Sequence, residues 1–467
     1  MPLSRSIALA LVVASAASFA RASAQSPSSD PTAALLSELI RVNTSNPPGK
    51  TAGIAELLAP RFKAAGFDVK IIPTPDSGKA IIIARLKGDG SKRPVLIAAH
   101  ADVVGVEREK WSLDPFAGIQ KNGYVYGRGA IDFKGGMAVF ARAAMLLAER
   151  KVPLARDVIF LAESDEEGLG NFNTGWLAKE HWPDIDAEFA LNEGGWIMKG
   201  SDGHVRYVSI STADKLSVPL TITARGTSTH SSMPRPDNAI FALSRAMAKL
   251  SAYETPLTIT PSTRDFFLAL SRTSTPPMSD YFRDVVGSDP KRARRADSVV
   301  SRDPLLHSLI RNTIAPVIIN GGFRANVIPG SAEATVNLRL IPGSDPAALV
   351  KDIARVIGDS TIQLSIGSRV YEASPESPRT TDLYRALERA AHATFPGAEV
   401  TPYLFQAGTD AGAWRSKGVP VYGIYPYPID ANDLTRMHGN DERVSIASLQ
   451  QGTELIFKTL ADVAGKK

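Results

Sequence analysis

The sequence predicts an α/β protein: a mixed sheet covered by helices, with a smaller α+β unit inserted into it. Three observations carry this. The apolar runs Val95-Leu-Ile-Ala-Ala, Val158-Ile-Phe-Leu-Ala and Phe189-Ala-Leu read as strands buried on both faces. Helical patterns alternate with them, as in an α/β layout. Near Lys215 the character changes to polar–apolar alternation, Ser217 to Arg225, and α/β character returns from Tyr371.

Each element follows in order. Residues 1–24 carry Arg5, an apolar stretch from Ile7 to Ala20, and Ala22-Ser-Ala24 ahead of Gln25, the layout of a cleavable signal peptide. The stretch is shorter than the roughly 20 apolar residues of a spanning helix, so export to a bacterial periplasm or the exterior is expected, with no stable membrane span. Residues 25–214 form the first part of the main domain. Helices are expected at Ala33–Arg41, Thr51–Ala65 and Gly135–Glu149, and further strands at Asp68–Ile72 and Ile81–Leu86. Residues 215–368 form the inserted unit: strand Ser217–Arg225, helix Asn238–Ser251, a strand pair within Asn326–Leu340, helix Pro346–Gly358 and strand Thr361–Ile366. That order is the split ferredoxin-like pattern. Thr255–Asn312 is extra to it and reads as a helical excursion. Residues 369–467 complete the main domain, with a helix at Asp382–Thr394 and a strand at Val419–Tyr425.

At 467 residues the chain exceeds what one core usually organises, in keeping with two domains. There is no cysteine, which excludes disulfides and thiolate metal ligands. The formal charge is +5, and the one dense basic run, Lys291-Arg-Ala-Arg-Arg295, has no interleaved aromatics. It reads as a solvated loop, so no nucleic-acid partner is expected.

The chemistry lies at the strand ends. Glu166 and Glu167 form an adjacent pair in Glu163-Ser-Asp-Glu-Glu-Gly168, directly after an apolar strand. His100-Ala-Asp102 ends another strand, Asp132 lies in the glycine-rich turn Tyr126-Gly-Arg-Gly-Ala-Ile-Asp132 before a helix, and Glu193 follows Phe-Ala-Leu-Asn. His438 follows the last strand. Ligands collect outside the carboxyl ends of such strands. Carboxylates gathered there repel one another and are costly to desolvate unless a cation holds them, so a metal site is expected. Of two neighbouring glutamates, one can bind metal while the other takes a proton from water.

Together with Gly226-Thr-Ser-Thr-His230, Asn326-Val-Ile-Pro and Gly408-Thr-Asp410, these motifs resemble the zinc-dependent aminoacylase and carboxypeptidase superfamily. That superfamily includes succinyl-diaminopimelate desuccinylase, aminoacylase-1 and glutamate carboxypeptidase. Asp303-Pro-Leu-Leu-His, Gly321-Gly-Phe-Arg and Arg436-Met-His-Gly-Asn-Asp-Glu-Arg resemble most the carboxypeptidase S and N-fatty-acyl-amino-acid synthase/hydrolase branch. The resemblance covers nearly the whole chain after residue 24. It implies a di-zinc aminopeptidase-like catalytic domain carrying the inserted ferredoxin-like lid domain.

The resemblance also implies roles. Asp132 would bridge two Zn2+ ions, replaceable by Co2+ or Mn2+, with His100 and Glu193 completing one site and Glu167 and His438 the other. Two metals sharing a carboxylate sit roughly 3.5–4 Å apart. Asp102 is expected to take the second imidazole N–H of His100. Glu166 matches the general base, and the peptide after Asp132 is implied to be cis. His230 would stabilise the oxyanion, from its own chain or from a partner subunit across a homodimer formed by the lid. Asn326, Arg339, Gly408 and Thr409 would bind the substrate carboxylate. The expected activity is hydrolysis of the amide bond in an N-acyl amino acid or short peptide with a free carboxylate. The alternatives are a strict metallocarboxypeptidase or dipeptidase and, from another class, a zinc-binding protein without catalysis.

Overall fold

The computed structural model describes residues 30–168, 170–367 and 375–466. The signal peptide expected at 1–24 and the domain boundary expected at 368/369 lie outside them. The principal strands are β1 (Asp68–Pro73), β2 (Ala80–Leu86), β3 (Val95–His100), β4 (Val158–Glu163), β5 (Phe189–Lys199), β6 (Val205–Asp214), β7 (Leu216–Arg225), β8 (Thr313–Gly321), β9 (Ser331–Leu340), β10 (Gln363–Ile366), β11 (Glu399–Phe405) and β12 (Val421–Ile429). The principal helices are α1 (Pro31–Arg41), α2 (Ala52–Ala64), α3 (Lys134–Glu149), α4 (Ala239–Ser251), α5 (Pro261–Thr273), α6 (Met278–Val285), α7 (Pro290–Val300), α8 (Pro304–Leu309), α9 (Pro346–Ile357), α10 (Asp382–Thr394) and α11 (Ile446–Ala464).

The large sheet has eight strands in the order β11-β6-β12-β5-β3-β4-β2-β1. β4, β3, β5 and β12 run parallel to one another and supply the site, while β2 and β6 run antiparallel to their neighbours in that block. β3 and β4 are buried along their whole length, as their continuous apolar runs require. Close approach is built into the centre of the sheet. A Cβ on Gly195 would lie 1.9 Å from the Ser209 carbonyl oxygen, and one on Gly423 would lie 2.1 Å from the Glu193 carbonyl oxygen. The glycines around Glu193 therefore serve packing between β5, β6 and β12.

The second sheet, β8-β9-β7-β10, is antiparallel throughout. With α4 and α9 it forms a separate core around Val218, Leu220, Ile222, Val336, Leu338, Leu243 and Ile353. This is the inserted lid domain with its ferredoxin-like order. The strand pair expected within Asn326–Leu340 is corrected: β9 fills most of that span, and its long antiparallel partner is β8, earlier in the chain. β8 escapes a periodicity reading because it is an edge strand, exposed over most of its length and containing Pro316. The excursion is helical, as expected, forming α5 to α8. Although these helices fall within the inserted span, their apolar side chains join the core of the large domain, where the Phe266 ring meets Tyr207 at 5.6 Å and Tyr403 at 5.0 Å.

Candidate active site

β3, β4, β5 and β12 all point their carboxyl ends to one side, and the sequence places its acids and histidines there. His100 is the last residue of β3 and pairs in register with Glu163 at the end of β4. Glu166 and Glu167 lie in the turn after β4, Asp132 just precedes α3, and Glu193 lies within β5. His438 returns after β12, with φ +57°. The Asp132–Phe133 peptide is cis.

The geometry centres on Asp132. Its Oδ1 is 3.1 Å from His100 Nε2, and its Oδ2 is 3.1 Å from His438 Nε2. Glu193 Oε2 lies 3.6 Å from His100 Nε2, and Glu167 Oε1 lies 3.0 Å from His438 Nε2. One carboxylate thus faces two imidazoles, each with a further carboxylate beside it. Donor atoms of His100, Glu166 and Glu193 lie within 4.8 Å of one another, as do those of His100, Asp132 and Glu167. Of the twelve residues singled out from sequence, six converge here: His100, Asp132, Glu166, Glu167, Glu193 and His438.

The charges are strongly coupled. Burial opposes a charged His100, yet Glu193 and Asp132 raise its pKa well above the ordinary imidazole value. Hydrogen bonds to Asp132 and Glu167 push His438 up to about 10. Burial, then Asp132, pushes Glu193 up to about 7. Burial also opposes the charged form of Asp132, but its bonds to His100 and His438 prevail and hold it low. Glu166 keeps an edge open to solvent, and desolvation followed by Glu193 raises its carboxyl well above the usual range. The cluster is short of positive charge, and its donor atoms could hold a metal ion. Imidazole and carboxylate donors suit divalent transition ions. His100 Nδ1 lies 2.9 Å from a backbone carbonyl, which favours a lone pair on Nε2, the atom facing the carboxylates.

That carbonyl corrects the role expected for Asp102. The backbone oxygen of Asp102 takes the imidazole N–H, while its carboxylate stays 3.8 Å from Nδ1. The strand ends at His100, which turns the Asp102 side chain towards the next loop. There it accepts from the backbone N–H of Glu166 at 3.2 Å and of Glu167 at 3.1 Å, and from Asn46 Nδ2 at 2.8 Å. Asp102 organises the Glu166–Glu167 turn.

The lid residues divide. Arg339, in β9, is half-buried; desolvation lowers its pKa while the charge of Glu166 opposes that shift. Its Nη1 is 3.6 Å from where a Cβ on Gly408 would stand, so Arg339 and Gly408 adjoin. Thr409 donates its hydroxyl to Asp214 at 2.6 Å, a bond within the frame. His230 lies on a short exposed ribbon paired with Val327, and its Nδ1 is 2.8 Å from Ser232 Oγ. Asn326 is exposed beside it, its carbonyl bound to the Ser231 N–H. Among the described contacts, neither His230 nor Asn326 reaches the carboxylate cluster.

Three further residues shape the site without a sequence signal of their own. Buried Glu442 accepts from the N–H groups of Gly129, Ile131 and Asp132 at 2.7–3.0 Å and from Arg128 at 2.6 Å, fixing the turn that presents Asp132. Asn46 links Asp102 to Asp165. The hydroxyl of buried Tyr425 lies 2.8 Å from Glu193 Oε2 and 3.1 Å from Asp132 Oδ1.

With this geometry in hand, comparison with known proteins is decisive. The pattern of peptidase family M20/M25/M40 matches residues 96–462. The chain belongs to that family. It is 32% identical over 379 residues to the probable carboxypeptidase S-like 2 of Dictyostelium discoideum, covering 79% of this chain and 71% of that one. It is 28% identical over 378 residues to the mouse N-fatty-acyl-amino acid synthase/hydrolase PM20D1, covering 79% and 74%. Among solved structures, an M20 family metallo-carboxypeptidase from Sulfolobus solfataricus superposes with a TM-score of 0.69 at 17% identity, covering 93% of this chain and 99% of that one. The protein is a metallo-amidohydrolase of the carboxypeptidase S and N-fatty-acyl-amino-acid hydrolase branch.

Proposed function

We propose that this M20 enzyme hydrolyses the amide bond of N-acyl amino acids bearing a free carboxylate, using two zinc ions. The carrying observation is that the two oxygens of Asp132 face two imidazoles at 3.1 Å each, with Glu193 beside one and Glu167 beside the other. His100, Asp132 and Glu193 would hold one ion, and Asp132, Glu167 and His438 the second. When bound, the ions would polarise the amide carbonyl and lower the pKa of the attacking water.

The chain's own residues do the rest. Glu166 accepts a proton from the attacking water at its carboxylate and returns it to the leaving amine nitrogen. Arg339 grips the substrate carboxylate beside Gly408, a task for which a planar guanidinium is suited. Asn326 and the Thr409 loop complete that pocket. His230 donates to the developing oxyanion, which requires the lid to move or a second subunit to supply it. A second copy has a place to dock: edge strand β8 exposes Val317 at 60%, Ile318 at 52% and Ile319 at 63%, with Phe323 at 78% and Phe241 at 63%. Edge strands with apolar side chains invite pairing, and a homodimer through the lid would cover this one. Among the described residues no helix is long and apolar enough to cross a membrane. Export through residues 1–24 completes the proposal.

The similarity to a probable carboxypeptidase S-like protein favours a second reading, a carboxypeptidase or dipeptidase acting on short peptides. One experiment separates the two: zinc-loaded protein is incubated with acetyl-, long-chain acyl- and dipeptide substrates, and released amine is scored. Preference for acyl amino acids supports the first reading, and turnover of dipeptides alone replaces it with the second.

A further inference from the structure

Tyr425 belongs to β12, which runs parallel to β5, the strand of Glu193; Gly423 is in register with Asn192, and Ile424 with Gly195. Its ring stacks on Trp196 at 4.2 Å and 8° and meets the edge of Phe133 at 5.3 Å and 90°. The side chain is buried and braced on two sides, so its hydroxyl is held in place. That hydroxyl has one proton and two carboxylate neighbours, Glu193 Oε2 at 2.8 Å and Asp132 Oδ1 at 3.1 Å. Both oxygens lie within reach of that proton, and the shorter contact is to Glu193.

The same two oxygens are the ones that face His100 Nε2, at 3.6 Å and 3.1 Å. The oxygens facing His438, Asp132 Oδ2 and Glu167 Oε1, are different atoms. Contact is therefore confined to one half of the cluster. A buried carboxylate oxygen left without a donor is costly and free to turn, whereas one held by a fixed hydroxyl keeps its direction.

Resting on the two-metal reading above, we propose that Tyr425 is a positioning residue that sets the metal affinity of the His100–Glu193 half of the site and leaves the Glu167–His438 half unaffected. Loss of such a supporting hydrogen bond typically costs 10–100-fold in metal affinity. The ring packing is shared with phenylalanine, so Tyr425→Phe isolates the hydroxyl.

The test is a stepwise Zn2+ titration of the metal-free full chain against a competing chelator, which reads two binding constants, alongside thermal melts of the metal-free protein. In Tyr425→Phe one constant should weaken about 10–100-fold. It should be the constant that Glu193→Gln weakens and not the one that Glu167→Gln weakens, and this asymmetry, rather than the metal-free melting temperature, is the readout, because losing the hydroxyl leaves Glu193 Oε2 without its donor in the metal-free protein too. Two unchanged constants would overturn the proposal, and so would equal loss of both with a lowered melt, the mark of a packing role. If the wild-type chain takes up no second ion, the two-metal reading itself fails and this inference falls with it. A wild type that binds two ions beside a Tyr425→Phe protein that binds them equally well removes this inference alone.

Discussion

Asp102→Asn distinguishes two roles that a sequence cannot separate. If the Asp102 carboxylate oriented His100, the substitution would release metal from the His100 half of the site. In the structure the backbone carbonyl does that work at 2.9 Å, and a substitution of the side chain leaves it in place. What the side chain holds is the turn, through the N–H groups of Glu166 and Glu167 at 3.2 and 3.1 Å. Asparagine keeps the shape but offers one acceptor oxygen, and its amide nitrogen must face one of those donors. One charge-assisted bond is lost, about 1.5–3 kcal/mol. Expressed fully in the transition state, that is about 10–100-fold in turnover at roughly 1.4 kcal/mol per tenfold. The expected outcome is that loss in kcat on metal-saturated enzyme, with both metal-binding constants within about threefold of wild type. Measured by chelator competition and steady-state kinetics, the opposite pattern would refute the argument: weakened metal binding at one site with normal turnover once saturated.

Glu166→Gln should retain both metals and lose about 10²–10⁴-fold in turnover, because an amide cannot accept the proton; Glu167→Gln should weaken one metal-binding constant. Arg339→Ala should depress turnover of a free-acid substrate far more than of its methyl ester, and equal losses would make Arg339 a structural strand residue. Lys215, at the junction of the two domains, is pushed down to about 7 by burial, with Arg339 adding to the effect. The unfolded value is 10.5, so the unfolded chain binds more protons between about 7 and 10.5, and this residue makes stability rise with pH across that window. Below about 7 its full penalty is present. Urea unfolding of Lys215→Met at pH 7 and pH 10 should show a smaller alkaline gain than wild type, and an equal gain would show that Lys215 is not the source.

The sequence was most legible where one physical demand acted on contiguous residues. Strands buried on both faces must be apolar throughout, so β3 and β4 announce themselves, and the acids that follow them mark the site. Caps are equally local: Asp30, Asn238 and Asp345 each bond the first turn of the helix they precede. What stayed hidden depends on distant partners. Edge strand β8 has no buried face to impose alternation. The excursion helices look like part of the insertion until Phe266 is seen against Tyr207 and Tyr403. Glu442 contacts a turn more than 300 residues away in sequence, and no local pattern records that. For Asp102, spacing fixes which residues meet, and the chain direction after His100 fixes which groups do: its backbone carbonyl faces the imidazole and its carboxylate faces the Glu166–Glu167 turn.

The charge inventory around the site gives the metal reading its physical force. Asp132, Glu166, Glu167 and Glu193 are four carboxylates, and two imidazoles stand among them. The basic side chains nearby are committed to the frame: Arg128 to Glu442, Lys79 to Asp165, Arg415 to Asp214, and Lys134 to the Val42 carbonyl. Arg339 stands near enough for its pKa to feel the charge of Glu166, yet no hydrogen bond joins them among the described contacts. With neutral imidazoles, four negative charges remain, with buried Glu163 and Asp410 adding to the same acidic field, and the two cations proposed above would offset it. A frame that commits its own cations to loops and turns, leaving two histidines and the neutral Tyr425 hydroxyl beside the central carboxylates, fits a centre whose charge is completed from outside the chain. On this argument, stripping the metals should do more than stop turnover: it should leave carboxylates that protons must neutralise, so the metal-free protein should lose stability as pH rises through the range where Glu193, with its pKa near 7, ionises. The sign follows from a folded carboxyl pKa raised above the unfolded 4.5, so the folded chain binds more protons across that window. Zinc-loaded protein should not share that loss, and identical pH profiles for the two forms, compared by urea unfolding between pH 5 and pH 8, would show that the carboxylates are balanced by something other than metal.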